Sequence, residues 1–131
     1  MNKRLVHIYR QQAFDYDLNA APAYLEATED VLLAVCNGCG TSGWKGKLVP
    51  DTVYGLNIAA ACQIHDWDYV TGSTQADKVN ADNNFLGNMQ IIVNTHGGFF
   101  KYLRHIRVYG YYLAVKLFGN TAYWNGKDRH E

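Results

Sequence analysis

A mainly α fold, built around two long antiparallel helices with a glycine-rich loop before them and a further helix after them, is what this sequence predicts. Three observations carry it. Cys62, His65 and Tyr69 fall at helical spacing, and so do Asp82, Phe85, Met89 and Ile92. Only the short Gly72-Ser73 turn separates these stretches, so the two helices should pack antiparallel. No repeat, low-complexity tract or linker interrupts the 131 residues, a length that suits one domain, taken as 1–131, with a real core.

Taken in order, Leu5 to Tyr16 alternates loosely and predicts an extended arm or short strand. Pro22 to Val35 predicts a first helix, because Pro22 suits a first turn and Leu25, Val31, Leu32 and Val35 can share a face. Asn37 to Lys47 is too glycine-rich for regular structure and reads as a loop. A second helix is expected from Pro50-Asp51 to Gly72, about five turns long. Thr74, with Asp77 three residues on, can cap a third helix running to Gly97-Gly98. A fourth should run from Phe99 to about Phe118 and stop at Gly119-Asn120.

Composition excludes several classes. Nearly half the residues are hydrophobic, at 48%, and formal charge is zero. Disorder is therefore unexpected, and so is nucleic-acid binding, which needs a basic surface. No apolar run is long enough to span a bilayer. The start lacks an apolar signal region and a small-residue cleavage site, so a cytoplasmic or virion-associated location before release is expected over classical secretion. Three cysteines, Cys36, Cys39 and Cys62, do not make a disulfide framework, though one bridge or a metal site remains open. Ten tyrosines, five phenylalanines and three tryptophans must supply much of the buried surface.

The chemistry gathers at Ala61 to Tyr69. On a helix, Cys62, His65 and Tyr69 share a face, while Asp66 is rotated by about 100° toward a neighbouring loop. Ala59, Ala60 and Ala61 are small enough to let another helix approach closely. On the next helix Asp82 lies in line with Phe85, Met89 and Ile92. A carboxylate on such a stripe needs a hydrogen-bond partner, and His65 and Tyr69 are the natural ones. A carboxylate on one ring nitrogen fixes the tautomer and leaves the other nitrogen to take a proton from water. Charge then builds on an ester oxygen, and a cation and a donor must neutralise it. Asp66 can hold calcium, a hard ion that prefers oxygen, and a glycine loop can add backbone carbonyls.

Cys62-x-x-His65-Asp66-x-x-Tyr69 resembles the signature helix of the phospholipase A2 superfamily, Cys-x-x-His-Asp-x-x-Tyr. Gly38-Cys39-Gly40 resembles part of its calcium loop, and the match spans about 36–89. The resemblance implies calcium-dependent hydrolysis of a phospholipid sn-2 acyl ester, with a phospholipid or membrane surface as partner. It implies His65 as general base, Asp82 as its partner, Tyr69 as a supporting hydrogen-bonder and Asp66 as the carboxylate ligand of calcium. Two loop registers fit; Gly38 and Gly40 supply carbonyls in both, and the Gly40 amide would donate to the oxyanion. The sequence departs from the family in having Ala61-Cys62 where paired cysteines are usual, and in lacking most of its cysteines. Cys62 could still bridge to Cys39, and virus-capsid members of the superfamily lack the disulfide framework. A catalytically silent module of this type is a further alternative.

The rival is a non-enzymatic interaction domain held by zinc. Cys36-x-x-Cys39 and Cys62-x-x-His65 have the ligand spacing of a structural Cys3His site, which explains all three cysteines but not Asp66, Tyr69 or Asp82. Asp68 and Asp77 read as solvated helix charges. The fourth helix interleaves aromatic and aliphatic residues with Lys101, Arg104, Arg107 and Lys116. The usual burial pattern favours a core-packing helix with tyrosine tips at water; the other reading is a basic, aromatic, lipid-facing surface. Trp44, Val53, Tyr54 and Leu56 are candidates for the rim by which a lipid enters.

Overall fold

The computed structural model describes residues 2–36, 49–125 and 127. Among them are seven helices and one two-stranded antiparallel sheet, so the protein is mainly α. The helices are α1 (Lys3–Asp15), α2 (Pro22–Glu26), α3 (Glu29–Val35), α4 (Ala59–Thr71), α5 (Gln75–His96), α6 (Lys101–Phe118) and α7 (Asn120–Trp124). The strands, β1 (Thr52–Val53) and β2 (Leu56–Asn57), lie between α3 and α4.

The N-terminal segment is helical, not extended. Asn2 caps α1 by accepting from the Leu5 amide at 3.0 Å, and Val6 and Ala13 turn to the core from one face. Their seven-residue spacing is two helical turns, a period that the loose alternation of Leu5 to Tyr16 obscured. The helix expected over Pro22 to Val35 is two helices. Ala27 and Thr28 are extended, and Thr28 caps α3, accepting from the Val31 amide at 3.3 Å. A capping threonine with Glu29 and Asp30 behind it favours a fresh start over continuation.

The second expected helix is shortened from its front. Tyr54 and Gly55 both adopt positive φ, 45° and 78°, and form the turn of a hairpin that pairs Val53 with Leu56 and Thr52 with Asn57. Two positive-φ residues in a two-residue loop match the twist of the strands. Asn57 then accepts from the Ala59 amide at 2.8 Å and starts α4.

The third helix begins as expected. The Thr74 side chain accepts from the Asp77 amide, and the Asp77 carboxylate accepts from the Thr74 amide, a reciprocal cap on α5. Asp77 therefore has a structural task, and its carboxyl lies below the ordinary value because the Ser73 and Thr74 amides donate to it. Gly97, at φ 63°, ends α5. The fourth helix begins at Lys101 rather than Phe99 and is followed by α7, which sequence reasoning did not foresee.

Helix α4 is the centre of the packing. From Ala59 to Trp67 every residue is buried, and the three alanines are at most 1% exposed. Helices α1, α3 and α5 pack on it. Tyr69 meets Lys78 while His65 meets Asp82 and Phe85, so residue numbers run in opposite directions and α4 and α5 are antiparallel. The turn between them is tight: a Cβ on Gly72 would lie 2.7 Å from the Tyr123 hydroxyl and 3.0 Å from the Asp68 carbonyl. That hydroxyl donates to the Thr74 carbonyl at 2.6 Å, tying α7 to the start of α5.

Candidate active site

His65, Asp82 and Tyr69 come together inside the α4–α5 pair. His65 Nε2 lies 2.8 Å from Asp82 Oδ1, and the Tyr69 hydroxyl donates to the same oxygen at 2.7 Å. His65 is fully buried and Asp82 nearly so, at 2%. The Phe85 ring stacks on the imidazole at a centroid distance of 4.5 Å and an interplanar angle of 25°. Tyr69 also packs against the imidazole, tilted by 48° at a centroid distance of 4.2 Å, and the Tyr123 ring meets Tyr69 edge-on at 5.1 Å. Phe85, Tyr69 and Asp82 thus fix the plane and rotation of His65 together.

Sequence reasoning missed Lys78. It is 2% exposed, and its ammonium donates to Asp82 Oδ2 at 2.7 Å. The same ammonium reaches the Val115 carbonyl at 3.4 Å and the Lys116 carbonyl at 3.5 Å, near the end of α6. A signal was present: Lys78 lies four residues before Asp82 on the stripe that continues through Phe85, Met89 and Ile92. Lysine is almost never buried unless paired, and here Asp82 is the pair. A cleft of about 270 Å³ opens between α5 and α6 beside this pair, lined in part by Gln75, Asn83 and Tyr112.

These contacts decide the protonation pattern. Burial pushes the Asp82 carboxyl up, but the hydrogen bonds from His65 and Lys78, with Tyr69 adding to them, outweigh it and hold the group below its ordinary value. Asp82 is therefore ionised at neutral pH and can only accept. A neutral His65 then carries its proton on Nε2 and its lone pair on Nδ1. Burial, then the adjacent Asp82 charge, raises the Tyr69 hydroxyl far above its ordinary value, so Tyr69 stays a donor.

Asp66, one residue beyond His65, is 8% exposed. It lies close enough to Asp51 that, after burial, its charge is the second cause raising the Asp51 carboxyl. Hard carboxylate oxygens of this kind suit calcium. Gly38 and Gly40, expected to complete the ligand set and the oxyanion donor, lie outside the described residues, as does Trp44. No cluster of three or more His, Cys, Asp or Glu residues fit for a metal occurs among the described residues.

The cysteines divide. Cys62 is disulfide-bonded, while Cys39, to which it could bridge, lies outside the described residues. A disulfide sulfur is not a thiolate and cannot serve as a zinc ligand. Cys36 is buried against the core at 1% exposure.

Of the remaining residues noted in the sequence, Asp68 accepts from Asn84 at 3.2 Å and is not simply solvated. Val53 and Leu56 are buried, whereas Tyr54 is half-exposed at the hairpin tip. A cleft of about 500 Å³, lined by Asn19, Asp68, Asp77, Asn80 and Asn84 among others, contains neither His65 nor Asp82. Its polar groups are largely spent on one another, with Asn84 bonded to both Asn19 and Asp68. The buried His65–Asp82 pair lies outside this cleft. The chain matches no protein-family model, no curated protein and no solved structure.

Proposed function

We propose that the protein is a calcium-dependent ester hydrolase of the phospholipase A2 type, acting on the sn-2 acyl ester of a phospholipid. The observation that carries the proposal is the buried His65–Asp82–Tyr69 network on two antiparallel helices. The resemblance of Cys62-x-x-His65-Asp66-x-x-Tyr69 to the phospholipase A2 signature selects the substrate class.

In this mechanism Asp82 orients His65 through Nε2, and Nδ1 takes a proton from water as the water oxygen bonds to the ester carbonyl carbon. His65 returns that proton to the glycerol oxygen as the acyl C–O bond breaks, giving a fatty acid and a lysophospholipid. The imidazolium formed between these steps is stabilised by the Asp82 carboxylate. Tyr69 and Lys78 hold that carboxylate in place. Asp66, with the carbonyls of Gly38 and Gly40, would hold calcium, whose charge when bound polarises the ester carbonyl. Because His65 is fully buried, turnover requires its Nδ1 edge to become accessible as substrate binds. Closure around the ester would then exclude bulk water and strengthen the dyad.

Complete burial of His65 equally suits a silent module that keeps the network for stability. One observation opposes the zinc-held domain: Cys62 is disulfide-bonded, so its sulfur is not a thiolate ligand. Release of fatty acid from phospholipid carrying a labelled sn-2 chain, with calcium and then with chelator, separates the readings. Calcium-dependent release of the sn-2 chain is expected. Release that persists unchanged in chelator contradicts the calcium requirement, and no release under either condition leaves the silent module.

A further inference from the structure

Helix α6 has two apolar faces, and among the described residues one is buried while the other is largely exposed. Arg104, Val108, Tyr111, Tyr112 and Val115 are buried on one side. On the opposite side Tyr102, Ile106, Tyr109 and Leu117 recur at spacings of four, three and eight residues. They are 80%, 71%, 50% and 64% exposed, with Phe99 at 94% just before the helix. An amphipathic helix that merely packs on a core would be polar here. Single exposed apolar residues need no explanation, but several gathered on one side of a helix mark a contact surface.

The charge around this stripe identifies what it contacts. No aspartate or glutamate occurs between Asp82 and Asp128, whereas Lys101, Arg104, Arg107, Lys116 and Lys127 all fall there. Arg104 is spent inside the molecule, donating to the Val53 carbonyl at 3.0 Å and the Tyr54 carbonyl at 2.5 Å. At 100° per residue, Lys116 borders the stripe beside Tyr109 and Arg107 lies beyond its other edge, whereas Lys101 falls on the buried side near Val108 and Tyr112. Arg107 also lies over the Tyr54 ring, 5.8 Å from its centroid, and Tyr54 stacks on Phe100 at 5.9 Å. The aromatic tip of the hairpin thus joins the same surface.

We infer that the outer face of α6, with the hairpin tip at Tyr54, docks the protein onto an anionic phospholipid bilayer. An apolar stripe edged by cations, with tyrosines whose hydroxyls can remain at the headgroups, has the chemistry of a helix lying in the membrane interface. No helix among the described residues is long and apolar enough to cross a membrane, so α6 lies along the surface. A second copy is a poorer occupant, because apposing two such faces brings Arg107 and Lys116 toward their like. The docking face is distinct from the His65 network and stands whether or not that network hydrolyses ester. It would give an esterase its access to lipid, since the hairpin it includes leads directly into α4.

The test is co-sedimentation of the full chain with phosphatidylcholine vesicles lacking or containing phosphatidylserine, at low and high salt. Binding is expected only with phosphatidylserine and should weaken as salt rises. Ile106→Gln and Leu117→Gln, both at exposed positions, should each weaken it about tenfold while leaving the circular dichroism spectrum unchanged. Lys116→Glu should reduce it by at least about fivefold. His65→Gln should bind as the parent does, so a failed esterase and a failed docking face give different results. Lack of binding to either vesicle overturns the inference. So does binding that ignores phosphatidylserine and Ile106, or a self-association that Ile106→Gln abolishes.

Discussion

Replacing Lys78 by methionine keeps the aliphatic stem and removes only the ammonium that Asp82 Oδ2 accepts from at 2.7 Å. Breaking a buried ion pair from one side costs about 3–5 kcal/mol when nothing else compensates the remaining charge. Asp82 keeps His65 and Tyr69 as donors, so the lower end, about 3 kcal/mol, is expected. Part of that figure comes from the Val115 and Lys116 carbonyls, which lose a cation at the end of α6. Asp82→Asn should cost a similar amount, because it leaves the Lys78 charge without its anion. The double variant should be less damaged than the sum of the two by about 2 kcal/mol, the coupling expected within one buried network. Urea unfolding of the parent, the two single variants and the double, with equal denaturant slopes, measures the cycle. Lys78→Met costing under about 1 kcal/mol, or strict additivity, would refute a buried Lys78–Asp82 pair.

The other predictions draw on the same network and its frame. The Asp82 carboxyl titrates below its ordinary value of 3.8 when folded. Its ion pair and hydrogen bonds therefore stabilise the fold fully above the unfolded value and are lost as pH falls through the lower folded one. Stability measured against pH should lose this contribution only below about pH 4 in the parent, and at higher pH in Lys78→Met. Thr74→Ala removes half of the reciprocal cap on α5 and should cost about 1 kcal/mol by thermal unfolding, with activity retained. Cys62→Ala should cost about 2–4 kcal/mol, the usual worth of a disulfide, while fatty-acid release per folded molecule persists. Stoichiometric zinc in the purified protein, lost on that substitution, would instead favour the zinc-held domain.

The parts of the fold legible in the sequence were those with a local signal. Thr74 with Asp77 marks the start of α5, and Gly97 marks its end, because caps are chosen by nearby backbone groups. The meeting of His65 and Asp82 was legible because a carboxylate on an apolar stripe demands a partner, and a tight turn limits where that partner can be. Helix α1 was not, since Leu5, Ile8, Tyr9 and Phe14 beside Val6 and Ala13 blur the helical period, and contacts made by the folded chain select which of them are buried. The hairpin was missed because Tyr54, unlike glycine or asparagine, gives no warning of a positive φ. Lys78 was missed for the opposite reason: its side chain predicts solvent, and only the carboxylate one turn on reverses that. Helix α6 packs on the core through Val108, Tyr111, Tyr112 and Val115, as the usual burial pattern led one to expect, while Tyr102, Ile106 and Leu117 are exposed.

The central claim is that His65 is a general base, and His65→Gln tests it most directly. Glutamine is a good helix former and leaves α4 intact, but it cannot take a proton from water. Fatty-acid release from phospholipid in the presence of calcium should fall by at least about a hundredfold, with the fold preserved by circular dichroism. Turnover that survives in a correctly folded His65→Gln protein would make His65 structural and contradict the account.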